Sequence, residues 1–140
     1  MTFLVSTGAI SKPFVLENEH VSQPEQTDET AGGKVSFSFR IANAGSYVLQ
    51  AVVNAPAEDA NSFYLNIDAA PEDPLTIWDI DVTTGFEQRV VTWRGSGGAD
   101  SDEFSPKRFQ LSAGPHKLTI FGREAGAELK SIALCPAASH

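Results

Sequence analysis

The chain is poor in cysteine, in positive charge, in long apolar runs and in uninterrupted helical pattern, and each shortage closes off a class of protein. Cys135 is the one cysteine in 140 residues, which rules out an intrachain disulfide, a cysteine-based zinc site and a CxxC redox pair. Ten Lys and Arg against eighteen Asp and Glu leave a formal charge of -8 and a pI of about 4.7, a balance that repels a phosphate backbone, so no nucleic acid partner is expected. The opening stretch MTFLVSTGAISKPFVLE has no basic n-region and only a short apolar patch, Phe3–Val5. It reads as neither a secretory signal nor a membrane span, so the expectation is no membrane partner and either an intracellular protein or a module cut from a longer chain. No window of about 11–18 residues carries a helical stripe, because Gly or Pro interrupts every candidate.

Catalytic signatures are missing too. His20, His116 and His140 belong to no HExxH pattern, and there is no GxSxG elbow. RGSGGAD, residues 94–100, lacks the Lys-Ser/Thr of a phosphate-binding loop, and the acidic run DSDE, residues 100–103, misses EF-hand spacing and reads as a solvated charge run. Eighteen acids leave room for a carboxylate pair at glycosidase separation, but no local motif points to one. The expectation is a chain that is not an enzyme.

What the sequence does have is period-two alternation. In KVSFSFRI, Val35, Phe37, Phe39 and Ile41 share one face while Lys34, Ser36, Ser38 and Arg40 share the other. Turn chemistry in Asn43–Gly45 precedes a second alternating run, SYVLQAVVNA, and the pair reads as a hairpin with Tyr47, Leu49 and Val53 inward. NSFYLNID places Phe63, Leu65 and Ile67 inward and Tyr64, Asn66 and Asp68 outward. LTIWDIDV, EQRVVTWRG, KRFQLSAG, HKLTIFGRE and ELKSIAL follow, separated by a Pro-rich acidic loop at 69–74 and a polar loop at 96–106. Residues 20–33 read as an exposed loop. About eight to ten short strands at intervals of roughly 8–12 residues predict an all-β fold, an antiparallel β-sandwich or jelly roll, spanning residues 1–140 as a single domain.

The ordered set FVLENE, GGKVSFSFRIANAGSYVLQAVV, NSFYLNID, IWD, VVTW and FQLSAGPHKLTIFGREAGAELKSIAL resembles carbohydrate-binding modules of the family 6 and 35 type, galactose-binding-like β-sandwiches. It covers most of the chain from about Phe14 to Leu134, and the last segment is its most specific part. The resemblance implies non-catalytic binding of a polysaccharide or oligosaccharide, by loops at one end of the sandwich or on a concave face. It also implies a monomeric module appended to other domains of a larger secreted protein, extracellular or at the cell surface. A structural calcium ion is implied as well, with Glu17 and Glu19 matching the paired acids of the first strand. The final strand departs from the family pattern, with Lys130 where an Asp is common.

Sugar recognition needs a flat apolar surface for the C–H face of a pyranose and polar groups for its hydroxyls. Trp78, next to Asp79 in an irregular segment, and Trp93, which closes a strand, fit the first need, and each is equally readable as a buried core residue. Tyr64 faces outward by alternation. Asn61 serves either sugar hydroxyls or a turn bond to its own backbone. In GREAG, Arg123 and Glu124 either contact a ligand or brace neighbouring loops. A structural or adhesion module docking a neighbouring domain or chain is the alternative function, and it predicts shielded tryptophans and no response to sugar.

Overall fold

The computed structural model describes residues 1–27, 31–68, 76–93 and 105–137, with the side chains of Thr76, Trp93 and Ser105 outside the description. The predicted Pro-rich loop at 69–74, the RGSGGAD and DSDE stretches and His140 lie outside the described residues. Along the chain run β1 (Thr2–Leu4), β2 (Ala9–Ser11), β3 (Val15–Glu17), β4 (His20–Ser22), β5 (Lys34–Ile41), β6 (Gly45–Asn54) and β7 (Ser62–Ile67). They are followed by β8 (Thr76–Asp79), β9 (Glu87–Val90), β10 (Thr92–Trp93), β11 (Ser105–Pro106), β12 (Phe109–Leu111), β13 (Gly114–Gly122) and β14 (Glu128–Pro136). The helical content of the described residues is one 3-10 turn, Val5–Thr7, so no helix there is long and apolar enough to cross a membrane.

All pairings are antiparallel. A five-stranded sheet runs in the order β2-β5-β13-β7-β8, and a seven-stranded sheet runs β12-β6-β14-β4-β3, with β1 beside β14 and β9 beside β6. A two-stranded ribbon, β10-β11, stands apart. The alternating apolar positions meet between the two sheets: Phe37, Phe63, Leu65, Leu118 and Ile120 from one, Leu49, Val53, Leu129 and Ile132 from the other, all buried. Each such side chain taken out of water contributes about 1.5–3 kcal/mol, which is why the period-two pattern selects this architecture.

One turn differs from the sequence expectation, and a second shares its geometry. The Ile41–Gly45 turn is not a hairpin: β5 pairs with β2 and β13, while β6 pairs with β9, β12 and β14, so the chain crosses from one sheet to the other. The GREAG turn between β13 and β14 crosses in the same way. A hairpin and an arch need the same alternation, because in both the apolar sides of the flanking strands reach one core. A register shift between Leu129 and Ser131 lets both Leu129 and Ile132 face that core although they are three residues apart.

The stretch 20–33 is also less open than its polarity suggests. His20–Ser22 is strand β4, and Gln23, Gly32 and Gly33 are buried. The Gln23 side chain donates to the Glu25 carbonyl at 2.8 Å and to Thr27 Oγ1 at 2.7 Å, and it accepts from the Gly33 amide at 3.0 Å. Thr27 N donates to the Arg123 carbonyl at 2.8 Å and Gly122 N to the Gly33 carbonyl at 2.9 Å. Gln23 and Thr27 lie against the sheet here because backbone groups and one another's side chains satisfy them.

Candidate functional site

The GREAG turn brings Asn61, Arg123 and Glu124 together. Glu124 Oε1 accepts from the Asn61 amide at 2.9 Å and from the Ser62 hydroxyl at 2.7 Å, and Arg123 Nη1 donates to Ser62 Oγ at 2.6 Å. Arg123 and Glu124 are themselves 3.7 Å apart. Asn61 Nδ2 donates to the Ile80 carbonyl at 2.8 Å, and the Ile80 amide returns a bond to the Asn61 carbonyl at 2.8 Å. Of the two readings open for these residues, the geometry is that of a brace: the crossover turn is tied to the start of β7. The Arg123 guanidinium then lies 5.7 Å from the centre of the Tyr64 ring, within cation–π range.

Tyr64 belongs to a larger surface. On the outer face of the five-stranded sheet, Lys34, Phe121, Tyr64 and Ile77 stand opposite one another across four consecutive strands, β5, β13, β7 and β8. Phe121, Tyr64 and Ile77 are half-buried, and the Lys34 ammonium sits 5.6 Å from the centre of the Phe121 ring. The next row, about 6.8 Å along the strands, is Ser36, Thr119 and Asn66, the last two buried as a polar floor. Ser38 and Lys117 follow beside Asp68, then Arg40 opposite Pro115. Two shallow depressions run along these rows and share Asp68 and Lys117. One, of about 370 Å³, reaches Lys34 and Phe121, and the other, of about 520 Å³, reaches Arg40 and Pro115.

At the centre of that face, Asp68 and His116 join the surface to the core. Asp68 sits at φ 58, a left-handed conformation, and its carboxylate accepts from the Lys117 amide at 2.8 Å while its other oxygen meets His116 Nδ1. His116 Nε2 lies 2.6 Å from the Ser112 carbonyl, so both ring nitrogens face acceptors. Burial opposes a charge on this imidazole, but the Ser112 carbonyl and the Asp68 carboxylate together outweigh it and hold its pKa above the ordinary 6.5. When protonated, His116 offsets the negative charge of Asp68 on the surface.

Other candidates go elsewhere. Trp78 is not an exposed platform: it is completely buried, its ring 5.8 Å from that of Phe63, because its register opposite Phe63 turns it inward. Its indole N–H finds no acceptor among the described residues. Asp79 is buried as well and lines a separate recess of about 110 Å³ beside Ile80 and Arg89. The Trp93 backbone pairs with Ser105, while its side chain lies outside the described residues.

Glu17 and Glu19 are exposed at the turn joining β3 to β4: Glu17 pairs with His20, and the two residues between them, Asn18 (φ 48) and Glu19 (φ 65), are both left-handed, as a tight two-residue hairpin requires. Nearby, His20 Nε2 lies 3.0 Å from Glu128 Oε2, and the Lys130 ammonium lies 5.5 Å from the centre of the Phe86 ring. Among the described residues no group of three or more His, Cys, Asp or Glu side chains is close enough to hold a metal ion.

Sequence reasoning missed Phe121, Lys34, Lys117 and Thr119 as site residues. A signal was there: in HKLTIFGRE the alternation that buries Leu118 and Ile120 puts a phenylalanine in the outward register, beside the outward Tyr64 of the neighbouring strand.

A scan against protein-family models finds no match, and neither does a search of curated proteins by sequence. Solved structures are similar in fold at low identity. A GH26-CBM35 beta-(1,4)-mannanase from Podospora anserina superposes with a TM-score of 0.70 at 14% identity, over 100% of this chain and 28% of that one. A family 35 carbohydrate-binding module from Clostridium thermocellum gives 0.65 at 10% identity over 98% of each chain. The C-terminal CBM6 of a marine laminarinase from Zobellia galactanivorans gives 0.60 at 11% identity, over 96% of this chain and 98% of the other. The chain thus has the β-sandwich fold of family 6 and family 35 carbohydrate-binding modules, and it spans less than a third of the mannanase.

Proposed function

We propose that this chain is a non-catalytic carbohydrate-binding module that holds a polysaccharide on the outer face of its five-stranded sheet. The observation that carries the reading is the row Lys34–Phe121–Tyr64–Ile77, in which two aromatic rings are half exposed side by side next to a polar row of the same sheet face. Rings held this way offer C–H contacts to pyranose faces, and the floor of Ser36, Thr119 and Asn66 supplies donors and acceptors beside them. The shared fold supports the same reading, as does the presence of such a domain in a mannanase and a laminarinase. On this reading the module acts as a monomer that keeps a larger, secreted glycan-active protein close to its substrate.

Calorimetry across a panel of soluble glycans, run with and without calcium, tests this. Tyr64→Ala and Phe121→Ala should each weaken binding by about tenfold or more, at the roughly 1–3 kcal/mol expected of a stacked ring. Affinity unchanged in both variants would move the site off this face, and no binding to any glycan would remove the function.

The alternative, a structural or adhesion module, is favoured by a different feature. Strand β3 ends the order of the seven-stranded sheet and exposes Val15 and Leu16, an edge suited to docking a neighbouring domain. Glycan-independent association with such a domain, lost on Leu16→Lys, is its signature.

A further inference from the structure

We infer that the glycan held on this sheet face carries sulfate esters. This rests on the glycan-binding reading above and specifies its substrate class. The argument starts from where the charges lie. The whole chain carries a formal -8, yet four of its ten Lys and Arg, Lys34, Arg40, Lys117 and Arg123, stand on or at the end of this one face. Among the described residues the carboxylates there are engaged: Asp68 with His116 and the Lys117 amide, Glu124 with Asn61, Ser62 and Arg123. A positive strip on an acidic protein orients an anionic chain to that strip and repels it elsewhere.

The kind of cation selects between anions. A planar uronate carboxylate is best met by a guanidinium fork, but Arg123 has its Nη1 committed to Ser62, and Arg40 stands six residues along β5 from Lys34, about 20 Å from the ring row. Lys34 and Lys117 are exposed ammonium groups, compact point charges on flexible stems, which suit the freely rotating tetrahedral oxyanion of a sulfate ester. Their placement adds to this. Lys34 flanks the Phe121–Tyr64 row and Lys117 lies four residues away along the strands, about 13 Å, so one charge sits beside the rings and a second lies beyond the polar row of Ser36, Thr119 and Asn66.

The test uses ι-carrageenan and dextran sulfate, each against its desulfated parent, with polygalacturonate as the carboxylated arm, titrated calorimetrically at low and moderate salt. Both sulfated chains should bind at least about tenfold tighter than their parents, with the margin shrinking as salt rises. The double variant Lys34→Gln/Lys117→Gln should abolish that margin, a loss of about tenfold from two exposed charge contacts. The charge-matched control Arg89→Gln/Lys130→Gln, on the other sheet, should keep it. Parents that bind as tightly as the sulfated chains overturn the sulfate inference and leave glycan binding standing. Tighter binding of polygalacturonate also overturns it, and silence from every glycan removes both. Equal loss in the two double variants shows a bulk charge effect and overturns the site.

Discussion

Removing the Glu124 carboxylate distinguishes a brace from a ligand contact. In the folded chain, Glu124 Oε1 accepts from the Asn61 amide at 2.9 Å and the Ser62 hydroxyl at 2.7 Å, and the side chain is 13% exposed. Glu124→Ala leaves both donors without that acceptor. A hydrogen bond to a charged group contributes about 1.5–3 kcal/mol, part of which water entering the space recovers, so the two together come to about 2–4 kcal/mol. The longer contact to Arg123, at 3.7 Å, adds little because it is beyond hydrogen-bonding distance and Arg123 keeps its bond to Ser62. For a domain stable by about 5–15 kcal/mol this is a large fraction, and urea unfolding should show a midpoint lowered by about 1–2 M. Glu124→Gln keeps an acceptor in place and should lose only about half as much. Calorimetry completes the experiment: Glu124→Gln should bind glycan within a factor of about two to three of the parent, since its contacts are internal. The reasoning fails if Glu124→Ala unfolds within about 0.5 kcal/mol of the parent while glycan affinity collapses, the signature of a residue that touches ligand.

Two further outcomes follow from the geometry. His116 has a folded pKa above its unfolded value of about 6.5, so the stability it contributes is complete below that pH and is lost as pH rises through the folded pKa. Urea midpoints should therefore fall from pH 6 toward pH 8.5, and Asp68→Asn should flatten the decline; a midpoint that rises over that interval contradicts the assignment. Gly122→Ala would place a methyl group 1.9 Å from Gln23 Oε1, and shifting that bonded carboxamide should cost about 1–3 kcal/mol. Adding Gln23→Ser opens the space, so the double variant should be less destabilised than the sum of the singles; strict additivity would mean that the two side chains do not meet.

Much of this arrangement was legible in order and alternation alone. Lys34–Ile41 and Ser62–Ile67 each show which residues face the core, because successive strand side chains point to opposite sides and only one side of each sheet meets apolar partners. That rule also turns Tyr64 outward. It could not say that Ile41–Gly45 and Arg123–Ala127 cross between sheets, since a strand's pattern records which side is buried and not which neighbour it pairs with. Trp78 illustrates the same limit: read beside Asp79 it looked equally suited to site or core, and its register opposite Phe63 made it core.

The candidate site was the least visible part. Lys34, Phe121 and Tyr64 are separated by scores of residues in sequence, and only the pairing of β13 with both β5 and β7 sets them side by side. The bonds from Asn61 and Ser62 to the GREAG carboxylate likewise join residues about sixty positions apart, which no local pattern announces. Burial faces, the all-β class and the scarcity of helix are local consequences of side-chain order and turn chemistry. Strand neighbours, the brace and the aromatic row with its lysines depend on contacts between distant segments, and those exist only once the two sheets have closed over their core.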